Sequence, residues 1–197
     1  MQTTFDQLIE SYLINQVGIT ENFIDDILSA QLKQNLLILF EENQLHSAGV
    51  GNSAVILQDK MIRSDMIHWL DRSHDNQFEN SFLDIIDKFI IHLNETCYTG
   101  IKSYEFHYTL YPVGAFYKKH IDQFNNNGQR AFSMIVYLNT NWKIADGGEL
   151  RIEQAEQSQN ISPNNGKCVF FKSSELLHEV LVTNEPRLSI TGWLKTI

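Results

Sequence analysis

The sequence predicts an α+β fold in which helices come first and short strands follow. Apolar residues recur at helical spacing in several segments of residues 1–97, whereas from Lys102 onward the period is two. Turn signals rich in Asn and Gly separate the later strand-like runs, which is typical of a β-sandwich or a barrel. The 197 residues contain no repeat or linker, so we expect one domain, with mainly helical support in 1–97 and the β-structured core in 98–197.

Helical spacing of apolar residues predicts three helices. The first covers Phe5–Val17, with Gly18 as its stop, and the second covers about Thr20–Leu45, with its first residue as the N-cap. Within the second helix, Leu36–Phe40 is apolar all round, which predicts burial on more than one side. The third helix, Glu79–Cys97, carries its apolar residues on one face.

The other segments are interpreted as loops and strands. His46–Lys60 has no clear period and is expected to form a loop or a mobile hairpin, whereas Ile62–Leu70 is expected to form a strand. His107 alternates with the aromatic residues of its own run, so we expect it to face solvent or an edge. The strand-like runs of the second half are 102–110, Ala131–Leu138, Glu149–Glu153, Lys167–Phe171, His178–Val182 and Arg187–Lys195.

Charge and composition exclude several classes of protein. A formal net charge of −9 argues against a nucleic-acid backbone as the main partner. No apolar run approaches the length of a membrane span, and the first residues lack the basic cluster of a secretory signal. The two cysteines show neither a disulfide framework nor zinc-ligand spacing. We therefore expect a cytoplasmic protein without nucleic-acid or membrane partners, and a monomer is favoured.

A pair of residues after Tyr117 has the spacing of a metal site. His120 and Asp122 stand two apart on a segment expected to be extended, so both side chains lie on one side of the chain. Taken alone, such a pair is also typical of a surface strand. His178, which begins a late strand-like run, is the best third ligand, and two histidines with one carboxylate form the facial set of non-haem Fe(II) oxygenases.

Two further residues predict a site for a dicarboxylate. Arg187 follows His178 by nine residues and starts the last strand, where its guanidinium can bind a carboxylate with two parallel hydrogen bonds. Tyr137 has the inward parity of its strand and can add a phenolic hydrogen bond. Simple core packing of Tyr137 is the alternative.

The order of these motifs resembles the H-x-D…H…R pattern of the Fe(II)- and 2-oxoglutarate-dependent dioxygenases. More narrowly, the chain is similar to prolyl 4-hydroxylases of the hypoxia-sensing type and their bacterial relatives, from roughly Leu45 to the C-terminus. The matching pieces are Ile62–Trp69, Tyr111-Pro112 with Tyr117, Ile135–Asn139 with Trp142, Gly147–Ile152, Phe170-Phe171, His178–Val180 and Arg187–Trp193.

This resemblance implies a double-stranded β-helix, or jelly roll, with N-terminal supporting helices. It also implies that Fe(II), 2-oxoglutarate and O2 are used, with ascorbate as a possible reductant. The metal ligands would be His120, Asp122 and His178. The co-substrate would contact Arg187, Tyr137, Tyr111, Ile135, Leu150 and Thr191, and the reacting centre would adjoin Tyr117 and Trp193.

The resemblance further implies a lid, His46–Ile62, over the substrate. Arg63 and Asp65 would lie at its base, where a salt bridge between Asp65 and Arg130 would anchor it. The chain departs from the family pattern in two places. The segment from Tyr111 to His120 is one residue shorter than in the animal enzymes, and a glycine, Gly192, interrupts the last strand.

The expected function is hydroxylation of a prolyl residue in a protein substrate, with elongation factor Tu as one candidate. The same chemistry on a small molecule or on another residue is an alternative, and a non-catalytic jelly-roll binding module is a second. A nucleobase substrate is disfavoured by the acidic charge and by Trp193, which stands where nucleic-acid demethylases of this superfamily carry a second arginine. The halogenating branch is excluded because it lacks the carboxylate ligand that Asp122 supplies.

Overall fold

Two antiparallel sheets build the β-rich half of the protein. The structure is a computed structural model that describes residues 2–49, 62–123, 129–154 and 157–197. In these residues the α-helices are α1 (Gln2–Asn15), α2 (Asp26–Glu41) and α3 (Gln77–Cys97), and short 3-10 turns cover Arg72–His74 and Ile144–Asp146. The strands are β1 (Val17–Thr20), β2 (His46–Ser47), β3 (Met66–Trp69), β4 (Ser103–Tyr111), β5 (Tyr117–His120), β6 (Arg130–Tyr137), β7 (Leu150–Gln154), β8 (Gln157–Ile161), β9 (Cys168–Lys172), β10 (Leu177–Val180) and β11 (Arg187–Lys195).

The larger sheet is buried on both faces. Its strand order is β1-β9-β6-β11-β4-β3-β2, and the smaller sheet has the order β5-β10-β7-β8. Even-numbered residues of β4, β6 and β11, such as Phe106 and Met134, pack in one core with the apolar face of α3. Odd-numbered residues, such as Tyr111 and Ile135, pack with β7 and β10 of the smaller sheet in a second core. The space between the two sheets is therefore lined by the odd-numbered positions.

The helix starts follow from side chains that accept hydrogen bonds from free backbone N–H groups. The side chain of Asp25 accepts from the N–H of Leu28 at 2.7 Å, so α2 begins after Asp25 and not at Thr20, which ends β1. Asn76 caps α3 in the same way, accepting from the N–H groups of Phe78 and Glu79. The third predicted helix is confirmed to within two residues at its start.

The prediction of burial around the end of α2 is wrong. Leu36 is fully buried, but Leu37, Ile38 and Phe40 are 36%, 43% and 39% exposed. The reason is that α2 lies on the outside of the domain and turns one face, with Leu32 and Leu36, towards α3 and the core. The remaining apolar side chains of the segment consequently face outward.

Two strands were missed in the sequence. Val17–Thr20 pairs with β9, and Gly18, the expected helix stop, lies inside this strand. Glycine is needed there because a side chain would collide with the carbonyl oxygen of Leu8. Gln157–Ile161 pairs with β7 as an edge strand whose residues Ser158 to Asn160 are exposed, so it lacks an apolar alternation. The expected loop or hairpin at His46–Lys60 starts with β2, and its part from 50 to 60 lies outside the described residues.

None of the helices in the described part of the chain has the length and apolar character needed to cross a membrane.

Gly192 is required by the packing of β11 against β4. A Cβ atom at this position would overlap the ring of Phe106 and the carbonyl oxygen of Glu105, which belong to the neighbouring strand. We expect Gly192→Ala to lower the free energy of unfolding by about 3 kcal/mol, the upper end of the range for overpacking, because backbone cannot move aside. Urea unfolding of the purified variant measures this loss.

The matched control is Gly114→Ala. At Gly114 a Cβ atom would meet no heavy atom of the described residues within 4 Å, and its φ of +83° adds only the strain of a left-handed conformation, about 1 kcal/mol. A loss in Gly192→Ala no larger than in this control would contradict the packing argument.

Candidate active site

Three side chains converge at the edge of the smaller sheet. His120 ends β5 and is the cross-strand partner of His178 on β10, and Asp122 follows two residues after His120. The Nε2 atom of His120 is 3.4 Å from one Asp122 carboxylate oxygen, and the Nε2 atom of His178 is 3.8 Å from the other. One ligand atom from each residue lies within 4.8 Å of the other two, so the three can hold one metal ion.

Backbone carbonyls set the orientation of both imidazoles. The Nδ1 atom of His120 is 2.8 Å from the carbonyl oxygen of Lys118, and the Nδ1 atom of His178 is 3.0 Å from that of Leu176. A carbonyl can only accept, so each Nδ1 donates its proton to one, and Nε2 is the ring nitrogen that each histidine turns towards Asp122 and offers to a metal ion. This arrangement is the usual support for a metal-binding histidine.

The charges in this cluster also suit a cation. Burial acts to raise the pKa of Asp122, but the neighbouring His178 and His120 hold it below its usual range. Burial lowers the pKa of His178. The cluster therefore presents a carboxylate beside a neutral imidazole, the protonation states in which these residues bind metals.

Arg187 and Tyr137 form a buried site with unused hydrogen-bonding capacity. Arg187 is 1% exposed, and its Nε donates to the carbonyl oxygen of Gly148 at 2.8 Å. Its Nη2 and the hydroxyl of Tyr137 have no hydrogen-bond partner among the described residues. The guanidinium carbon lies 4.9 Å from the centre of the Tyr137 ring and 5.0 Å from that of Tyr111. A buried cation and a buried hydroxyl without partners fit the carboxylate of a ligand.

The turn at Gly147-Gly148 brings a carbonyl to this arginine. Both glycines have a φ of +65°. A Cβ atom at Gly148 would come within 3.1 Å of the Arg187 side chain and 2.9 Å of the hydroxyl oxygen of Thr183. Glycine is therefore needed here for the conformation and for the close approach.

Apolar residues surround the space next to Arg187 and Tyr137, the pair called the anchor below. Ile135 and Leu150 are buried and belong to the core between the sheets, together with Tyr111 and Tyr137. Thr191 pairs with Ile135 across β11 and β6 and accepts a hydrogen bond from the hydroxyl of Thr109 at 3.2 Å. The structure thus brings all six residues predicted to contact the co-substrate to the inner faces of the two sheets.

Tyr117 and Arg63 stack on the cluster of candidate metal ligands formed by His120, Asp122 and His178. The Tyr117 ring is parallel to the His120 ring at 3.5 Å, and the guanidinium carbon of Arg63 lies 4.2 Å from the centre of the Tyr117 ring. Arg63 donates two hydrogen bonds, at 2.7 and 2.6 Å, to the buried carboxylate of Asp65. Arg63 and Asp65 are two residues apart, on one side of an extended chain, which lets them pair locally.

The predicted salt bridge between Asp65 and Arg130 is wrong. Asp65 is bound by Arg63, and Arg130 donates to the carboxylate of Glu105 at 2.9 and 2.7 Å. Glu105 is the cross-strand partner of Trp193, and the guanidinium carbon of Arg130 lies over the ring of that tryptophan, 3.5 Å from its centre. Arg130 also reaches the backbone carbonyl of Asp122 at 3.4 Å. The expected lid from His46 to Ile62 falls mostly outside the described residues.

The prediction that His107 faces solvent or an edge is also wrong. Its side chain is 3% exposed and points between the sheets, where it contacts Trp69 and Trp193. The alternation in β4 does not distinguish inside from outside because both faces of the sheet are covered. A signal was available, since His107 stands four residues before Tyr111 and so shares its face.

Comparison with known proteins found a matching family model and similar solved structures. The family model described as the 2OG-Fe(II) oxygenase superfamily matches residues 106–195. A prolyl-4-hydroxylase from Pseudomonas putida is 29% identical, with a TM-score of 0.88 over 98% of this chain and 99% of that one. A prolyl hydroxylase from Trichoplax adhaerens, solved in complex with a hypoxia inducible factor oxygen degradation domain peptide fragment, is 25% identical, with a TM-score of 0.86 over 99% of this chain and 90% of that one. These matches confirm the double-stranded β-helix.

Proposed function

We propose that this chain, which is a 2-oxoglutarate-dependent Fe(II) dioxygenase, hydroxylates a prolyl residue in a protein substrate. The observation that carries the proposal is the likeness to the Pseudomonas putida prolyl-4-hydroxylase, which extends over nearly the whole of both chains. The Trichoplax adhaerens enzyme adds support because it was solved with a peptide bound.

The cofactor sites follow from the residues between the sheets. His120, Asp122 and His178 would hold Fe(II), and Arg187 with Tyr137 would bind the far carboxylate of 2-oxoglutarate. Bound there, these groups supply the chemistry that places one atom of O2 in a substrate C–H bond, with succinate and carbon dioxide as co-products. The protein's own contribution is orientation: Tyr117 fixes the plane of the His120 ring, and the apolar walls exclude water from the anchor.

The charges around the cluster favour an uncharged target such as proline. Arg63 lies over the ring of Tyr117 and Arg130 over that of Trp193, and each of these arginines is paired with a carboxylate. Their charges are therefore compensated, and this part of the wall offers little attraction to an anionic metabolite. Elongation factor Tu remains the candidate substrate that the resemblance to bacterial members suggests, and it agrees with the expected cytoplasmic location.

The proposal is tested by finding the hydroxylated residue. The purified protein is incubated with Fe(II), 2-oxoglutarate, ascorbate and the lysate of a strain that lacks the gene, and in parallel with purified elongation factor Tu. We expect tandem mass spectrometry to locate one added oxygen atom on a proline, with no addition by Asp122→Ala. An oxygen found on lysine, asparagine or a free metabolite would keep the chemistry and overturn the prolyl assignment.

A further inference from the structure

His107 occupies a position on the inner face of the larger sheet that the proposed cofactor sites do not use. Tyr111 pairs with Arg187, and four residues away along the same two strands His107 pairs with Thr191. At about 3.4 Å per residue, the Cα atom of His107 lies roughly 14 Å along β4 from that of Tyr111. It lies towards Trp193, whose ring supports the arginine that reaches the backbone of Asp122. His107 therefore lines the end of the space that is distant from the co-substrate anchor.

Hydrogen bonds fix which nitrogen of His107 carries the proton. Nδ1 is 3.0 Å from the carbonyl oxygen of Tyr108 and 3.0 Å from the hydroxyl oxygen of Thr109. The carbonyl can only accept, and Thr109 donates its own proton to Thr191 at 3.2 Å. Nδ1 therefore donates to these oxygens, and Nε2 is a bare acceptor. No hydrogen bond joins Nε2 to any of the described residues.

The surroundings keep this imidazole neutral. Burial lowers the pKa of His107 to about 4, so the ring carries no charge near neutral pH. The ring of Trp69 meets it edge-on at 5.0 Å, and the ring of Trp193 lies 5.6 Å away. Trp69 is itself 46% exposed, so this wall continues to the protein surface. An uncharged acceptor held between aromatic rings suits a neutral donor, because covering it with an apolar group alone would leave it unsatisfied.

We propose that Nε2 of His107 accepts a hydrogen bond from a backbone N–H of the protein substrate, at a residue that flanks the target proline. This inference rests on the proposed function. Proline has no N–H of its own, so the donor belongs to a neighbouring residue. A peptide N–H that leaves water on binding needs an acceptor, and His107 is placed to supply it. The contact makes His107 a specificity residue for substrates that present a peptide backbone.

Three variants separate this contact from the other roles of the ring. His107→Asn keeps a polar group near the position of Nδ1, His107→Gln places one near the position of Nε2, and His107→Leu removes both. The probe is a synthetic peptide with the sequence around the hydroxylated proline found by mass spectrometry. We expect KM for the peptide to rise about tenfold in the Asn and Leu variants and to be largely retained in the Gln variant. The KM for 2-oxoglutarate should change much less than the KM for the peptide in all three, because Arg187 and Tyr137 are unaltered.

A cycle that combines N-methylation of the peptide with His107→Leu identifies the backbone N–H that donates to His107. A set of peptides is prepared in which each peptide carries one N-methyl group, on a different residue that flanks the proline. The Kd of each peptide is measured without O2 so that turnover plays no part. One methylated position should weaken binding about tenfold in the wild type and by less than twofold in His107→Leu. Equal losses in both proteins at every position would overturn the contact while leaving prolyl hydroxylation in place. Failure of the wild type to hydroxylate any prolyl peptide would overturn the proposed function and the inference together.

Discussion

Replacing Arg187 by alanine is expected to raise the KM for 2-oxoglutarate on the order of 100-fold, because the co-substrate loses a buried cationic partner for its far carboxylate. The guanidinium is 1% exposed and has an Nη2 donor without a partner in the described part of the chain. A ligand carboxylate would meet a charge that is already desolvated and held by Gly148, so little ordering is needed on binding. Steady-state turnover over a range of 2-oxoglutarate concentrations measures the effect.

Two variants divide the anchor into its parts. Arg187→Lys keeps the charge but loses the planar fork, so its KM should fall between those of the wild type and the alanine variant. Tyr137→Phe removes a single unpaired hydroxyl and should raise KM by about fivefold to tenfold.

A shorter co-substrate provides an independent check. The oxo acid 2-oxobutyrate lacks the far carboxylate, so the wild type should strongly prefer 2-oxoglutarate and Arg187→Ala should show little preference. An alanine variant with the normal requirement for 2-oxoglutarate would show that Arg187 is a structural residue and that the anchor lies elsewhere.

Arg187 and the candidate metal ligands could be predicted from sequence because charged and metal-binding residue types are unusual at these positions of a strand. An arginine at the first residue of an apolar strand, such as Arg187, is costly unless it has a buried partner. His120 and Asp122 are two residues apart at a strand end, and that local spacing survives whatever the tertiary structure is. His178 was identified as the best third ligand from its place in a late strand-like run, but its position opposite His120 is a matter of strand register, which the sequence did not indicate.

Other features depend on contacts between distant segments, which the local sequence pattern around each residue does not show. The even and odd residues of β4 are both buried, by α3 and by the smaller sheet respectively, so the alternation around His107 gives no inside and outside. The partner of Arg130 is Glu105 and not the predicted Asp65, because only the register of β4, β11 and β6 brings Glu105 to Arg130. Strand β8 has exposed polar residues at its centre, and its pairing with β7 supplies the order that its composition does not indicate.

Replacing Asp122 by asparagine is expected to weaken Fe(II) binding by more than about 100-fold, since losing even an outer-shell partner of a ligand commonly costs 10- to 100-fold. Asparagine keeps the size of the side chain and removes its negative charge. Asp122 is the one carboxylate of the cluster found among the described residues, and it lies between two imidazoles that are neutral in their metal-binding form. Without Asp122, no side chain of the cluster supplies a negative charge to offset the charge of a divalent cation.

Anaerobic titration with Fe(II) and 2-oxoglutarate distinguishes the roles of the two sites. The metal-to-ligand absorption band should appear in the wild type, be absent in Asp122→Asn and His178→Ala, and appear in Arg187→Ala only at higher 2-oxoglutarate concentrations. Glu153→Gln is the matched control because it removes a partly exposed carboxylate from the same sheet, where it pairs with Lys119. A normal band in Asp122→Asn would exclude Asp122 from the ligand set. A band lost equally in the control would mean that the loss reflects net charge and not coordination.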